Sequence, residues 1–307
     1  MTVINMISFG DEGSAVADEQ SSGAVRKYNV AQKLQLLNDS YIYGGSGPSD
    51  DIKEIYNASS KALEEIKKDK YNSSLNNAYG LVQDVLINYK NDLKNRFLLC
   101  NIGISLKDFL TGTYKSSEQK LDGKIMEQAA SLIHQADGDT AISLLLGGLQ
   151  DKKFDIYELS SFYAGRNISR PYATIGSGKD ESEKVLSGYV ASLPREKRSA
   201  IDKREGLVKI IEATNASSNL NMGVGGSPSI VYITADSKIK RPNEKQCVLA
   251  SELVEGLSNS LLPKDFVYDK VFELVCDNGD FKEIEEKMKE KSCDWNKLDR
   301  ILRGYKE

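Results

Sequence analysis

The sequence predicts a mixed α and β chain built mostly on antiparallel strands, and three observations carry that expectation. An apolar run at residues 3–9 meets Gly10, Asp11, Glu12 and Gly13, a strong hairpin signal, and a second short run at 14–17 follows. Apolar residues then recur at helical spacing, first Ile52, Ile55, Tyr56, Leu63 and Ile66, then Leu75, Tyr79, Val82, Leu86, Tyr89, Leu93 and Phe97. Further on, residues 140–146 read as a fully buried strand. Gly147 and Gly148 end it, residues 150–153 turn, and residues 154–159 alternate as its antiparallel partner.

Taken in order, the N-terminal hairpin carries Asp18 back to the level of Thr2, so a hydroxyl near the start of the chain has a carboxylate for a neighbour. Lys33 opens the next run, residues 34–37, and a turn at 38–40 leads into Tyr41, Ile42, Tyr43, Gly44, Gly45, Ser46 and Gly47. Ser49 caps a helix with Asp50 and Asp51 in its first turn, where negative charge suits the helix dipole. That helix runs to about residue 68, residues 71–74 break it, and the second helix follows; the pair would form one layer over a sheet. Residues 98–118 read as an insertion, a loop with about one helical turn, carrying Gly103, Gly112 and a patch at Phe109 and Leu110. A third helix spans roughly 118–135. Pro171, Tyr172, Ala173, Thr174 and Ile175 form a short strand that enters Gly176, Ser177 and Gly178 before a helix near Asp180. A helix at 204–214, a Gly-rich stretch at 223–226 and a late strand at 229–234 complete a domain of residues 1–240. Beyond Arg241 and Pro242, helical patterns at 248–262, 265–276, 280–291 and 294–303 predict an α-helical extension, residues 241–307.

Composition removes several function classes. The 307 residues are 40% hydrophobic, enough for a substantial core. Lys and Arg number 41 against 45 Asp and Glu, and no basic cluster is interleaved with aromatics, so no nucleic-acid partner is expected. Lys67, Lys68, Asp69 and Lys70 read as a solvated helix end. No apolar stretch approaches a membrane span, and no signal peptide opens the chain. Cys100, Cys247, Cys276 and Cys293 form no C-x-x-C pair, which predicts reduced thiols in a cytoplasmic protein. His134 is the only histidine. A Ser-His-Asp triad and a His-rich metal site are thereby disfavoured, no cofactor is expected, and His134 belongs on a helix face. Gly176, Ser177, Gly178 and Lys179 look like the end of a phosphate loop, but Asp180 stands where Ser or Thr must hold Mg²⁺. Gly45, Ser46 and Gly47 lack the third glycine of a dinucleotide fingerprint, since position 50 is Asp.

The start of the chain resembles the N-terminal-nucleophile hydrolases, and among them the proteasome β-subunits and bacterial proteasome-like peptidases. That family begins its mature chain with Thr, keeps an Asp sixteen residues on and a Lys near thirty-two. Here Thr2 to Asp18 is sixteen and Thr2 to Lys33 thirty-one. The Lys strand, turn, Gly-rich strand and helix of residues 33–51 follow the family order, and residues 172–178 match its short strand entering a Gly-Ser-Gly turn. One departure stands out. Aligned on Gly225 and Gly226, Val224 takes the place of a family Ser and Asn221 lies near that of an Asp.

The resemblance implies a four-layer α/β/β/α sandwich and a threonine-type endopeptidase. In it, Thr2, freed by removal of Met1, is the nucleophile, and its own α-amine is the base. Lys33 is the charged partner and Asp18 its anchor. The Gly44 N–H, with Gly45 as the alternative, is the oxyanion donor, and Ser177 bonds the Thr amine. The expected partners are a peptide or unfolded-protein substrate, further copies in a homo-oligomeric ring, and an ATP-dependent unfoldase as an admissible addition. Two alternatives stand beside this reading. One is a transpeptidase or ligase using the same acyl-enzyme, like the proteasome-related connectases. The other is a non-catalytic scaffold subunit, against which the chain start at Met1 and Thr2 is read, since structural subunits usually carry an N-terminal helical extension.

Overall fold

The computed structural model describes residues 2–302 except 20, 23–26, 29–31, 69–73, 118, 140, 163–164, 222–223 and 278. Expectations that rest on Met1, Asp69, Lys70, the break at 71–73, a helix start at 118, Thr140, Met222, Gly223 and Arg303 lie outside the described residues.

The N-terminal hairpin consists of β1 (Ile4–Ser8) and β2 (Gly13–Asp18), with Ile4 opposite Ala17 and Ser8 opposite Gly13. Two short strands, β3 (Ser21–Ser22) and β4 (Lys27–Tyr28), pair next. β5 (Leu34–Leu37) and β6 (Tyr41–Ser46) then pair across a turn in which Asn38 and Asp39 have φ of 58° and 52°. Both residue types tolerate the left-handed region, and such turns match the twist of a hairpin. The helices α1 (Ser49–Lys68), α2 (Leu75–Ile102), α3 (Leu106–Thr111) and α4 (Gly123–Asp139) follow. After them come β7 (Ser143–Gln150), β8 (Lys153–Ser160), β9 (Arg166–Asn167), β10 (Tyr172–Ile175), α5 (Lys179–Ser192) and α6 (Lys203–Leu220). The chain closes with β11 (Pro228–Ile233), β12 (Ile239–Lys240), α7 (Glu244–Ser258), α8 (Lys264–Phe272), α9 (Phe281–Lys291) and α10 (Trp295–Ile301).

The protein is thus mixed α+β, with two antiparallel five-stranded sheets among the described residues. Their strand orders are β10-β1-β2-β11-β12 and β5-β6-β7-β8-β9. The chain divides into two compact units. One holds residues 1–46, 144–158 and 166–307, and the other holds 47–143 and 159–165. This division differs from a boundary at residue 240, because α7 and α8 share a core with α5, α6 and the first sheet.

In the first unit, strand alternation sends side chains to two cores. Ile4, Met6, Ala15 and Ala17 meet Leu34, Ile42, Leu145 and Phe154 between the sheets. Ile7, Val16, Ile230 and Tyr232 face the helices instead. The strand β7 runs on through Gly147 and Gly148 rather than ending there, and Phe154 accounts for the glycine at 147. A Cβ at Gly147 would stand 2.9 Å from the Phe154 ring, and one at Gly13 only 2.3 Å, so glycine here makes room for an aromatic ring inside continuous strands. The connection from β7 to β8 is accordingly tighter than 150–153, with Asp151 and Lys152 at φ of 49° and 64°.

In the second unit, α2 packs on α1, α3 and α4. Leu98, Ile104, Leu121 and Ala129 form its buried cluster. α2 runs through Cys100 to a left-handed Gly103 (φ 69°), so part of the expected loop is helical. Ser105 and Asp108 then start α3 with a reciprocal capping box. α6 likewise extends six residues past the expected 214. His134 is exposed on α4. Cys100 and Cys293 are exposed thiols, while burial pushes Cys247 and Cys276 up to about 12. Among the described residues no helix is long and apolar enough to cross a membrane.

Candidate active site

The hairpin register sets Asp18 beside Val3, one residue from the expected level of Thr2, and the Asp18 N–H donates to the Val3 carbonyl at 3.3 Å. The Asp18 carboxylate is 1% exposed and accepts three hydrogen bonds. Oδ1 takes the Val3 N–H at 2.7 Å. Oδ2 takes Lys33 Nζ at 2.7 Å and the Gly225 N–H at 3.2 Å. Lys33 and Val3, neighbour of Thr2, are therefore joined through a single buried carboxylate. A dry charge needs this degree of satisfaction, because desolvation of an ion pair offsets much of its attraction. Lys33 itself is 8% exposed. Burial pushes its ammonium below the ordinary lysine value, against the opposing pull of Asp18 and, more weakly, Glu19.

Thr2 is held by the turn between β10 and α5. Its N–H donates to Ser177 Oγ at 3.0 Å, and its carbonyl accepts the Gly178 N–H at 3.1 Å. Gly176 has φ of 97°, and a Cβ there would stand 2.1 Å from the Thr2 carbonyl oxygen and 3.3 Å from Ser46 Oγ. Only glycine allows this approach. The turn is braced from below, since Ser217 Oγ donates to the Gly178 carbonyl at 2.7 Å and lies 2.8 Å from Ser182 Oγ.

Thr2, Asp18, Lys33 and Ser177 thus come together in one unit, each linked to the next by hydrogen bonds or by adjacency. Gly44 lies inside β6 opposite Leu34, with β5 and β7 on its two sides. A Cβ on it would meet Ile4 Cγ2 at 2.9 Å, across the gap between the sheets. Gly45 follows in β6, past the last residue paired with β5. The departures from the family pattern also take form. Asn221 turns its amide back to the Ser217 carbonyl at 3.1 Å, at the end of α6. Val224 is 3% exposed, with its methyl 3.2 Å from where a Gly178 Cβ would stand.

Sequence reasoning missed four participants. Gly225 supports Asp18 with its N–H, and its signal was the Gly-rich stretch. Ser46 ends the Gly-rich strand and reaches toward Gly176. Glu19 follows Asp18 directly and carried no separate signal. Arg241 donates to the Leu34 carbonyl at 3.4 Å and carried no local signal at all. Behind Asp18 lies a polar cavity of about 180 Å³, whose walls include Thr214, Asn215, Ser218, Ser251 and Glu255. Among the described residues no three His, Cys, Asp or Glu side chains gather as a metal-holding set. Comparison of the sequence with protein-family models and with curated proteins returns no match.

Proposed function

We propose that this protein is a threonine-type endopeptidase of the N-terminal-nucleophile class, acting through an acyl-enzyme ester on Thr2 once Met1 is removed. The observation that carries the reading is the pair of contacts flanking Thr2: its nitrogen on Ser177 Oγ, and the next N–H on the carboxylate that anchors Lys33. Thr2 Oγ attacks the peptide carbonyl while the Thr2 amine takes its proton, one of the ways a weak hydroxyl nucleophile is activated. The amine then protonates the leaving peptide amine, and water hydrolyses the ester. Lys33, positively charged, lowers the pKa of the nearby Thr2 amine and brings that base closer to neutrality. Within β6, Gly44 or its neighbour Gly45 supplies the N–H for the developing oxyanion. One such donor is typically worth about 3–4 kcal/mol.

The fold belonging to this reading is the four-layer α/β/β/α sandwich. The shared core between the two sheets and the helical core on the outer face of the first support it. Assembly of copies into a ring, a cytoplasmic setting and delivery of substrate by an unfoldase belong to the same reading. The test incubates the protein with an unfolded polypeptide and with short peptides, with and without excess amine-bearing peptides, and follows products by mass. Free carboxylate products that vanish in Thr2→Ala support the peptidase. Ligated products in excess over hydrolysis would replace it with a transpeptidase, which must offset water by holding its acceptor amine close to the ester. No product with any substrate would favour a scaffold.

A further inference from the structure

The hydroxyls of α6 are used in two ways. Ser218 Oγ bonds back to the Thr214 carbonyl at 3.1 Å, four residues earlier, where a helical serine ordinarily directs its hydrogen. Ser217 does otherwise. It is fully buried, and its Oγ leaves the helix to donate to the Gly178 carbonyl at 2.7 Å. A carbonyl only accepts, so the Ser217 hydrogen points at Gly178, and its oxygen is left to accept from Ser182 Oγ at 2.8 Å. Ser182 is buried too, and its hydroxyl also reaches the Ala213 carbonyl at 3.0 Å. Three residues before Ser217, Thr214 Oγ1 accepts the Asn5 Nδ2–H at 2.9 Å and donates to the Ile210 carbonyl at 3.0 Å. Asn5 lies three residues after Thr2, opposite Val16 and Thr174 in the sheet, and is fully buried. Its Oδ1 has no hydrogen-bond partner among the described residues, so the bond to Thr214 is what its amide depends on.

Positions three apart share a face of a helix, so Thr214 and Ser217 stand side by side. That face meets both pieces of chain that hold Thr2. One is β1, which Thr2 leads into; the other is the turn at 176–178, where Ser177 Oγ bonds the Thr2 nitrogen and the Gly178 N–H bonds its carbonyl. The fit at Gly178 is close, since a Cβ there would stand 3.0 Å from both Ser217 Cβ and Val3 Cβ. α6 is held in turn by α7. Ser251 Oγ donates to Asn215 Oδ1 at 2.7 Å, and Asn215 Nδ2 donates to the Ser251 carbonyl at 3.1 Å. Resting on the reading of Thr2 as the nucleophile, we propose that Thr214 and Ser217 are positioning residues: they set the spacing between the start of β1 and the turn at 176–178, and with it the place of Thr2. The C-terminal helix α7, which holds α6, is then part of the site rather than an appendage to it. Ser217 suits this role because its hydroxyl can be removed without orphaning a buried group. Ser182 keeps the Ala213 carbonyl, and the Gly178 carbonyl keeps the Ser182 N–H at 3.4 Å. Ser217→Ala is therefore expected to fold, with a slackened turn.

The experiment measures amide hydrogen exchange of the full chain by NMR, which needs no substrate and does not depend on removal of Met1. In Ser217→Ala the Gly178 amide, which donates to the Thr2 carbonyl, is expected to exchange about tenfold faster, the effect of losing one ordinary hydrogen bond. The Val16 and Ile230 amides inside the sheet keep their wild-type rates. In Thr214→Val the Val3 amide, which donates to Asp18, is expected to exchange about tenfold faster. Thr214→Ser, which keeps the hydroxyl, retains the wild-type rate. Where turnover is measurable, Ser217→Ala lowers kcat per folded chain about tenfold with KM unchanged. A merely structural role would lower the folded fraction alone. Unchanged Gly178 exchange in folded Ser217→Ala overturns the role of Ser217, and so does an equal acceleration across the whole sheet. Unchanged Val3 exchange in Thr214→Val overturns that of Thr214. If Thr214→Val does not fold, Thr214→Ser decides: faster Val3 exchange despite the retained hydroxyl would contradict a hydrogen-bonding role. If the wild-type protein cleaves nothing, the peptidase reading falls, while the exchange rates still decide whether Thr214 and Ser217 hold Thr2 in place.

Discussion

Both compact units hold a lysine–carboxylate cluster, but they hold it in different surroundings. In the strand-built unit the Lys33 and Asp18 side chains are 7% and 1% exposed, and Asp18 takes two backbone N–H groups besides the ammonium. In the helical unit Lys90 and Lys94 converge on Asp137 with all three side chains between 20% and 31% exposed. Burial pushes Asp137 up, yet hydrogen bonds and charge from Lys94 and Lys90 outweigh it and leave its carboxyl low. Lys90 also donates to the Ser161 carbonyl. The wet cluster gives two cations to one anion and braces a loop against a helix. The dry cluster gives one direct cation to one anion and must complete the anion's shell from the backbone. A protein gains little stability from such a buried pair compared with apolar packing, and the proposed mechanism gives the pair beside the start of β1 a use.

The contrast breaks most visibly on losing a lysine. Lys33→Ala strands a buried carboxylate and is expected to cost about 3–5 kcal/mol, together with all turnover. Lys94→Ala leaves Lys90 on a partly hydrated anion and should cost about 0–1 kcal/mol, with turnover kept. Urea unfolding midpoints of the two variants check the difference, and equal costs would mean that the dry pair is no different in kind from the wet one.

Glycine substitutions sharpen the same comparison at smaller scale. Gly176→Ala requires a Cβ at φ of 97° and 2.1 Å from the Thr2 carbonyl, so the turn must move. Strain of about 1–3 kcal/mol and displacement of Thr2 should follow, with lost activity. Gly80 lies within α2, where an added Cβ meets nothing within 4 Å. Gly80→Ala is expected to stabilise by about 0.5–1 kcal/mol and leave activity alone. Thermal midpoints moving in opposite directions would match this account.

How much of this was legible beforehand depended on how local the cause was. The hairpins at residues 10–13 and 38–40 announce themselves, because the residues that turn the chain are the residues in the turn. The association of Asp18 with the start of β1 follows from one hairpin register, and the fold shifts it by only one residue. The continuation of β7 through Gly147 and Gly148 was not legible, since the ring that makes glycine necessary at 147 comes from Phe154. The two-residue strands β9 and β12 carry too few residues for any periodicity. Arg241 is the extreme case. Its partner carbonyl, on Leu34, lies more than 200 positions earlier, and no local pattern beside Arg241 announces the pairing.

The pH dependence is a gentler probe of the dry pair. The proposed mechanism requires a neutral Thr2 amine and a charged Lys33. The rate should rise with pH as the amine loses its proton, at or below the ordinary value of about 7.7–8.0. It should fall again as Lys33 deprotonates, below the ordinary 10.5 because burial lowers it. A profile of kcat/KM still flat at pH 10.5 would contradict the requirement for a charged Lys33.

The most direct test of the account is the covalent state of Thr2. The protein is treated with a peptide carrying an electrophilic β-lactone, and intact mass and N-terminal peptide mass are measured beside Thr2→Ala. The account predicts a chain lacking Met1, with one stoichiometric adduct on Thr2 that is absent from Thr2→Ala. Retention of Met1 in protein that still turns over substrate, or an equal adduct on Thr2→Ala, would contradict it.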